Sequence, residues 1–424
     1  MARIPEDRAA TAAEVVAMGL DELAREGARR MLQTALELEV ADYLERFRDA
    51  RDERGWAQVV RNGPAREREV TLGSGTVPVR APRVNDRRVL DGERQKFSSR
   101  ILPPYVRRSP RVAEVLPLLY LHGLSSGDFR EALSALLGEQ AAGLSPAAII
   151  RLTKAWEAEY AEFRQRDLSG TDYVYVWADG VHFNVRLEDD RLCTLVVIGA
   201  RPDGTKEVIA VEDGYRESTE SWLSVLRDLK RRGMRAPLLA VADRALGFWG
   251  AVREVWPATQ AETCWVHRIA NVLDKLPRRL QPRTKRALHA MLYAENRAAC
   301  LEEIAAFAAE YGAKYPKAVE SLTRDQEQLL THFAFPAEHW GHLRTTNPIE
   351  STFATVKLRQ RVTKGAGSRT AGLTMAFKLL LMAQARWRRL NAPHLVAQVR
   401  AGVRFQDGVR IEREDTADEV KTAA

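Results

Sequence analysis

Three acids stand where this sequence can turn them to chemistry: Asp179, Asp243 and Glu350. Asp179 closes the run Tyr173-Val174-Tyr175-Val176-Trp177-Ala178, and Asp243 closes Pro237-Leu238-Leu239-Ala240-Val241-Ala242. Both runs are β-branched, aromatic or small and apolar, with no helical spacing, which predicts two buried strands each ending in a carboxylate. Glu350 follows Asn347-Pro348-Ile349, which predicts a helix with Asn347 as N-cap and Pro348 as its first residue. Carboxylates from three separate segments can hold two divalent cations at the spacing phosphoryl transfer needs. One cation makes a water or a DNA 3′ hydroxyl a better nucleophile, and the other stabilises the leaving oxygen. Each acid also has a plainer reading: Glu350 as part of a capping box, Asp179 and Asp243 as turn-forming acids.

Other residues near these acids carry possible roles. Cys264 and His267 form a C-x-x-H pair with a zinc-compatible spacing, but two ligands do not close a tetrahedral site, and the further candidates are His289 and Cys300. Lys357 lies seven residues after Glu350, on the same helical face two turns along, with Arg361 one turn further. Both can reach a phosphate, or simply form a solvated basic face. Trp222 opens a predicted helix, where it can stack on a frayed terminal base or pack in the core. His182 reads as a satisfied strand histidine. No P-loop, His-Glu-x-x-His or Gly-x-Ser-x-Gly motif argues for other chemistry.

Positioning such groups requires a core, and 424 residues with 45% hydrophobic and 29% charged side chains make a globular chain of two or more domains. From Tyr173 onward the strand leading to Asp179 is followed by Val181–Arg186, Leu192–Ile198 and Glu207–Val211, a three-strand meander. Ser218–Arg232 then reads as a helix closed by Gly233, followed by the Asp243 strand, a helix over Phe248–Val255 and a short strand over Thr259–Glu262. The order βββαβαβ matches an RNase H-like core. Helical patterns from Ile269 to about Trp340 predict an all-α insertion before Glu350.

Upstream, apolar residues at helical spacing from about Ala12 to Glu45 predict an amphipathic segment that packs on the body or pairs with a second copy. The stretch Glu69–Leu72, Gly73-Ser74-Gly75, Thr76–Arg80 predicts an Arg-rich β-hairpin. Helices over Arg111–Leu121 and Asp128–Leu137, around the turn Gly123–Gly127, precede a third that Ser145-Pro146 opens and that runs to Lys154. Together they resemble a helix-turn-helix unit with Arg151 and Lys154 on its recognition helix, although a plain three-helix connector shows the same pattern. The expected division is a helical segment over 1–60, a basic β-rich segment over 61–105 and a helix-turn-helix-like DNA-binding domain over 106–168. The core follows over 169–268, then the insertion over 269–340, the second part of the core with Glu350 over 341–392, and a basic then polar tail over 393–424.

Charge points to a polyanion. The formal net charge is +8, yet residues 61–111 alone hold thirteen Lys/Arg against five Asp/Glu, and residues 351–406 hold eleven Lys/Arg and no acid. Two basic segments on an otherwise acidic chain suggest phosphate-binding surfaces, against the plainer reading of Arg-rich helices solvating their outer faces. No apolar run approaches the ~18 residues of a membrane span. Arg3, Glu6, Asp7 and Arg8 do not make the start of a signal peptide, and three scattered cysteines make no disulfide framework. The expected location is cytoplasmic and nucleoid-associated.

Five ordered motifs carry a more specific signal: Trp177-Ala178-Asp179-Gly180, Glu217-Ser218-Thr219-Glu220-Ser221-Trp222, Ala242-Asp243-Arg244-Ala245, Cys264-Trp265-Val266-His267-Arg268 and Thr346-Asn347-Pro348-Ile349-Glu350. In this order they resemble mutator-type transposases of bacterial insertion sequences, and the resemblance covers about Arg61 to Arg389. It implies that Asp179, Asp243 and Glu350 are the catalytic and metal-binding DDE acids. It further implies two Mg²⁺ ions, with Mn²⁺ as a substitute, and a substrate of double-stranded DNA: the element's terminal inverted repeats and a target. In that family Cys264 and His267 are a core signature near the active site, which implies a packing or hydrogen-bonding role beside Asp243. Synapsis of two DNA ends implies a homodimer or larger assembly. The expected function is thus a DDE transposase that cleaves and joins strands, with a structure-specific endonuclease or an inactive DNA-binding repressor as alternatives.

Overall fold

The computed structural model describes residues 18–90, 92–110, 112, 115, 119, 137, 146–185, 192–214, 216–244, 247–363 and 368–411. The chain divides into two compact units, Met1–Leu152 and Thr153–Ala424.

In the first unit a long helix, α1 (Leu20–Arg46), buries Leu36 against Val70, Val77, Val79 and Leu102. Two of these positions alternate along β3 (Gly75–Val79), which pairs antiparallel with β2 (Arg68–Leu72), as the hairpin pattern predicts. Gly75 has φ +120°, a conformation open to glycine and strained for other residues. A second antiparallel pair joins β1 (Val59–Asn62) to β4 (Arg83–Asp86). Burial on the hairpin explains one side of the α1 stripe, while Leu20, Met31 and Leu38 remain exposed. Arg61, Arg66, Arg80, Arg83 and Arg87 point to solvent, so the segment has the basic surface its composition predicts.

The turn of the expected helix-turn-helix unit, Gly123–Gly127, lies outside the described residues. Its third helix, α2 (Pro146–Gln165), does not stop at Lys154 but runs for 20 residues. The reason is apolar: Trp156 and Tyr160 are buried further along it, and the Tyr160 hydroxyl donates to the carbonyl of Val211 at 2.7 Å.

The second unit is a mixed α/β body built on a five-stranded sheet. After β5 (Val89–Leu90) and β6 (Glu93–Arg94), a separate ribbon in the first unit, the strands of this sheet are β7 (Tyr175–Phe183), β8 (Leu192–Ala200), β9 (Lys206–Gly214), β10 (Leu239–Ala242) and β11 (Gln260–Thr263). The sheet order is β11-β10-β7-β8-β9, with β7, β8 and β9 antiparallel and β10 and β11 parallel to β7. Helices α3 (Thr219–Arg231) and α4 (Phe248–Val255) bury Trp222, Leu226, Phe248 and Val252 against Val176, Ala178, Leu195 and Val197 on one sheet face. Fully buried strands of this kind are continuous apolar runs, which is why they were legible as strands.

Between β11 and residue 347 the chain is helical. Helices α5 (Trp265–Leu273), α6 (Gln281–Leu292), α7 (Arg297–Tyr311) and α8 (Pro316–Thr323), with short 3₁₀ turns and α9 (Trp340–Leu343), enclose a separate apolar cluster around Trp265, Leu288, Phe307 and Phe333. Then α10 (Asn347–Thr363) packs on β7, and α11 (Arg369–Gln384) on β8 and β9. The chain closes with α12 (Pro393–Arg400) and the short hairpin β12 (Phe405–Gln406) and β13 (Val409–Arg410). No helix among the described residues is long and apolar enough to cross a membrane.

Candidate active site

Register places the two aspartates side by side. Parallel pairing sets Leu239 opposite Tyr175 and Val241 opposite Trp177, so Asp243 and Asp179, two residues on, stand level on neighbouring strands. One oxygen of each accepts from the following backbone N–H: Gly180 N to Asp179 at 2.8 Å, and Arg244 N to Asp243 at 2.6 Å. Asp243 follows the last residue of β10, as its run predicts. Asp179 does not end a strand. It lies inside β7, opposite Val196, because β7 stays paired to β8 as far as Phe183 after its pairing with β10 has stopped.

Glu350 reaches the same corner through a relay of backbone and sulfur. Cys264 N donates to the carbonyl of Ala242 at 3.0 Å, and the Cys264 sulfur accepts from Thr346 N at 3.3 Å and lies 3.2 Å from the Thr346 hydroxyl. Ile349 N and Glu350 N donate to the carbonyl of Thr346, so the helix begins at Asn347 and Thr346 takes the capping place expected of Asn347. The capping-box reading of Glu350 is not what the chain adopts. Its carboxylate accepts from the Thr346 hydroxyl, while the Asn347 N–H that a capping box would engage goes to the Thr345 hydroxyl instead.

His267, one turn into α5, has Nδ1 3.6 Å from Glu350 Oε1. That nitrogen is buried and makes no hydrogen bond. Cys264, His267 and Glu350 bring one ligand atom each within 4.8 Å of one another, so the third partner the C-x-x-H pair lacks in sequence is Glu350 rather than His289 or Cys300. The Cys264 sulfur is already engaged by Thr346, which fits the hydrogen-bonding role.

The electrostatics are those of crowded acids. Burial, reinforced by Glu350 and Asp243, pushes the Asp179 carboxyl up to about 6 against the pull of the Gly180 N–H. The Cys264 side chain first, then Asp243 and Glu350, push the His267 imidazole up to about 9. A fourth acid, overlooked in the sequence, shares this field: burial and then Asp179 and Asp243 push Glu217 up to about 7. The signal for it was present, since Glu217 opens the motif Glu217–Trp222, but a Glu before a helix start is otherwise an ordinary solvated acid.

Not every expected residue lies here. Trp222 is fully buried, edge-on to Phe248 at 5.0 Å between ring centroids, so the base-stacking expectation gives way to core packing. A stacking platform needs an open ring face, and the α3 stripe turns this one inward. Lys357 is exposed on α10; Arg361 is on the same helix, its side chain outside the described residues. Arg151 and Lys154 are exposed on α2. His182 is also exposed, with Nδ1 3.5 Å from Glu217. Beside Asp243 a groove of about 560 Å³ is lined in part by Arg244, Arg253 and Asn271.

A family model described as "Transposase, Mutator family" matches residues 3–389. The chain is 58% identical over 302 residues to the transposase for insertion sequence element IS6120 of Mycolicibacterium smegmatis, covering 71% of this chain and 93% of that protein. It is 47% identical over 288 residues to the transposase for insertion sequence element IST2 of Acidithiobacillus ferrooxidans, covering 66% of this chain and 95% of that one. Among solved structures, the HTLV-2 integrase catalytic core domain in complex with magnesium aligns with 29% of this chain and 87% of that one, at 17% identity and a TM-score of 0.17.

Proposed function

The chain belongs to the Mutator family of transposases, and from that premise we propose that it binds the terminal inverted repeats of an insertion sequence and catalyses cleavage and transfer of DNA strands. The observation that carries the reading is the corner where Asp179 and Asp243 stand level on adjacent strands and the Cys264–Thr346 contact brings in Glu350. The strand order, with three antiparallel strands followed by two parallel ones and helices after the third and fourth, supports an RNase H-like core with the helices between β11 and α10 as its insertion.

The donor set suits a hard divalent cation. Carboxylate oxygens from Asp179, Asp243 and Glu350 favour Mg²⁺, with Mn²⁺ as a substitute. Two bound ions would supply Lewis-acid stabilisation of the charge that develops at the scissile phosphate. The chain's own residues do the rest. The N–H groups of Gly180 and Arg244 each hold one oxygen of their aspartate, which leaves the carboxylates oriented before substrate arrives. Thr346 and His267 both lie against Oε1 of Glu350 and orient it. Arg244 and Arg253 line the groove in which a DNA backbone meets the acids, and Lys357 offers a further phosphate contact.

Binding of the DNA ends falls to the basic β-rich segment over 61–105 and the helix-turn-helix-like region over 106–168, with Arg151 and Lys154 in its third helix. Pairing of two ends asks for a dimer or larger assembly, working at the nucleoid. The test is a strand-transfer assay with Mg²⁺ on linear DNA carrying the element's ends, comparing wild type with Glu350→Gln. The reading expects joining by wild type, and binding without cleavage by the variant. Full activity in Glu350→Gln would overturn the assignment of Glu350, and a wild type that binds but never cuts would make the protein a repressor.

A further inference from the structure

We propose that Glu217 is a fourth carboxylate of this corner, holding a divalent cation together with Asp179 and Asp243. The proposal rests on the reading of the corner as a metal-dependent site.

Its backbone is clamped between the two aspartate segments. Glu217 immediately precedes Ser218, whose side chain caps α3 by accepting from Ser221 N at 3.2 Å. The Glu217 carbonyl accepts from Gly247 N at 3.0 Å, tying it to the segment that follows Asp243. On the other side the carboxylate lies against residue 180, next to Asp179. A Cβ at Gly180 would collide with the Glu217 carboxylate, so glycine there leaves the seat that this side chain fills.

What surrounds the carboxylate is unlike the setting of the chain's other shielded acids. Glu207 is paired with Arg166 and Arg201, Glu262 with His332, and Asp86 with Arg88. Glu217 has a side-chain exposure of 21%, and its one ion-pair partner among the described residues is the half-exposed His182 at 3.5 Å. The charged groups that act on it are two further acids, Asp179 and Asp243, and the His267 imidazole. An acid built into a seat between two others, with no guanidinium or ammonium opposite among the described residues, is compensated by a cation from solution. A helix-dipole role does not account for the arrangement, since that interaction is satisfied at any exposed first-turn position, such as Glu220 on the same helix.

The experiment uses the full chain and Mn²⁺ as the probe, with binding followed by titration calorimetry and by the loss of the free-ion signal in electron paramagnetic resonance. Wild type is compared with Glu217→Gln, Glu217→Asp and Asp179→Asn. Losing a ligand or its orienting partner weakens metal binding by about 10- to 100-fold. The expected result is therefore a Kd raised about tenfold or more, or one ion fewer bound, in Glu217→Gln. Metal-free thermal unfolding and DNA binding should stay as in wild type, and Glu217→Asp should fall between. If Glu217→Gln binds Mn²⁺ as wild type does while Asp179→Asn does not, the fourth carboxylate is overturned and the three-acid corner stands. If Asp179→Asn also binds as wild type does, the corner itself is overturned. Should Glu217→Gln fail to fold, Glu217→Asp carries the test: Mn²⁺ affinity unchanged by the withdrawn carboxylate overturns the proposal.

Discussion

The sulfur of Cys264 accepts a hydrogen bond from the Thr346 backbone N–H at 3.3 Å and lies 3.2 Å from the Thr346 hydroxyl, whose one proton goes to the Glu350 carboxylate. Both residues are buried, and the pair joins the end of the Asp243 strand to the start of the helix that carries Glu350. Cys264→Ala leaves the buried Thr346 N–H unmet, since the Thr346 hydroxyl still has the Glu350 carboxylate as acceptor, and one such group costs about 1–3 kcal/mol. Denaturant unfolding should show a loss in that range. Strand-transfer activity should fall with it, because Glu350 loses its fixed position, while DNA binding in a gel-shift assay stays near wild type.

Replacing any one of the acids with its amide should remove nearly all turnover. Asp179→Asn, Asp243→Asn and Glu350→Gln keep shape and hydrogen-bonding capacity but remove the charge. Cleavage of end-bearing DNA should drop by about 10² or more, the scale of losing one preorganised electrostatic contact in a catalytic site. Affinity for DNA, and its fall with salt, should be unchanged, since those are carried by the basic segments.

The first unit should weaken in acid for an identifiable reason. Arg88, with the Tyr43 hydroxyl beside it, holds the Asp86 carboxyl at about 2. A folded-state value below the ordinary ~4 means that this stabilisation is complete above pH ~4 and is lost as pH falls toward 2. Circular dichroism of acid unfolding should therefore show a shallower loss in that window for Asp86→Asn, together with lower stability at neutral pH.

Glu262 and His332 form a fully buried pair that holds the helical segment to the sheet. One Glu262 oxygen accepts from His332 N at 2.8 Å, and the other lies 2.9 Å from His332 Nδ1. Glu262→Ala strands both groups, and removing one partner of a buried pair costs about 3–5 kcal/mol. Thermal unfolding should shift down strongly, with His332→Ala less severe because an unpaired carboxyl can take up a proton.

Trp222→Ala should act on stability and not on DNA. Truncating a buried aromatic costs about 3–5 kcal/mol. At temperatures where the variant is folded, the salt dependence of DNA binding should match wild type.

Element order was legible because buried strands and amphipathic helices write their periods into the chain. The runs ending at Ala178 and Ala242, the Ser218 cap and Gly233, at φ +92°, are each decided within a few residues. Asp179 as a strand terminus was misread because the length of β7 depends on its partner: β8 pairs with it to Phe183, and pairing is not a local property. The helix after Trp156 was missed for the same reason, since its apolar face is set by what it packs against.

By itself the sequence determined which segments are strands and helices, which segments are basic, and to which family the chain belongs. Only the tertiary structure decided that Asp179 and Asp243 stand level, that Thr346 rather than Asn347 caps the Glu350 helix, that Trp222 faces inward, and that Glu217 sits beside Gly180. Each of these depends on strand register, on which face of an element is covered, or on contacts between residues far apart in the chain. Short-range periodicity carries none of that information, because it records that a side chain is buried without saying against what.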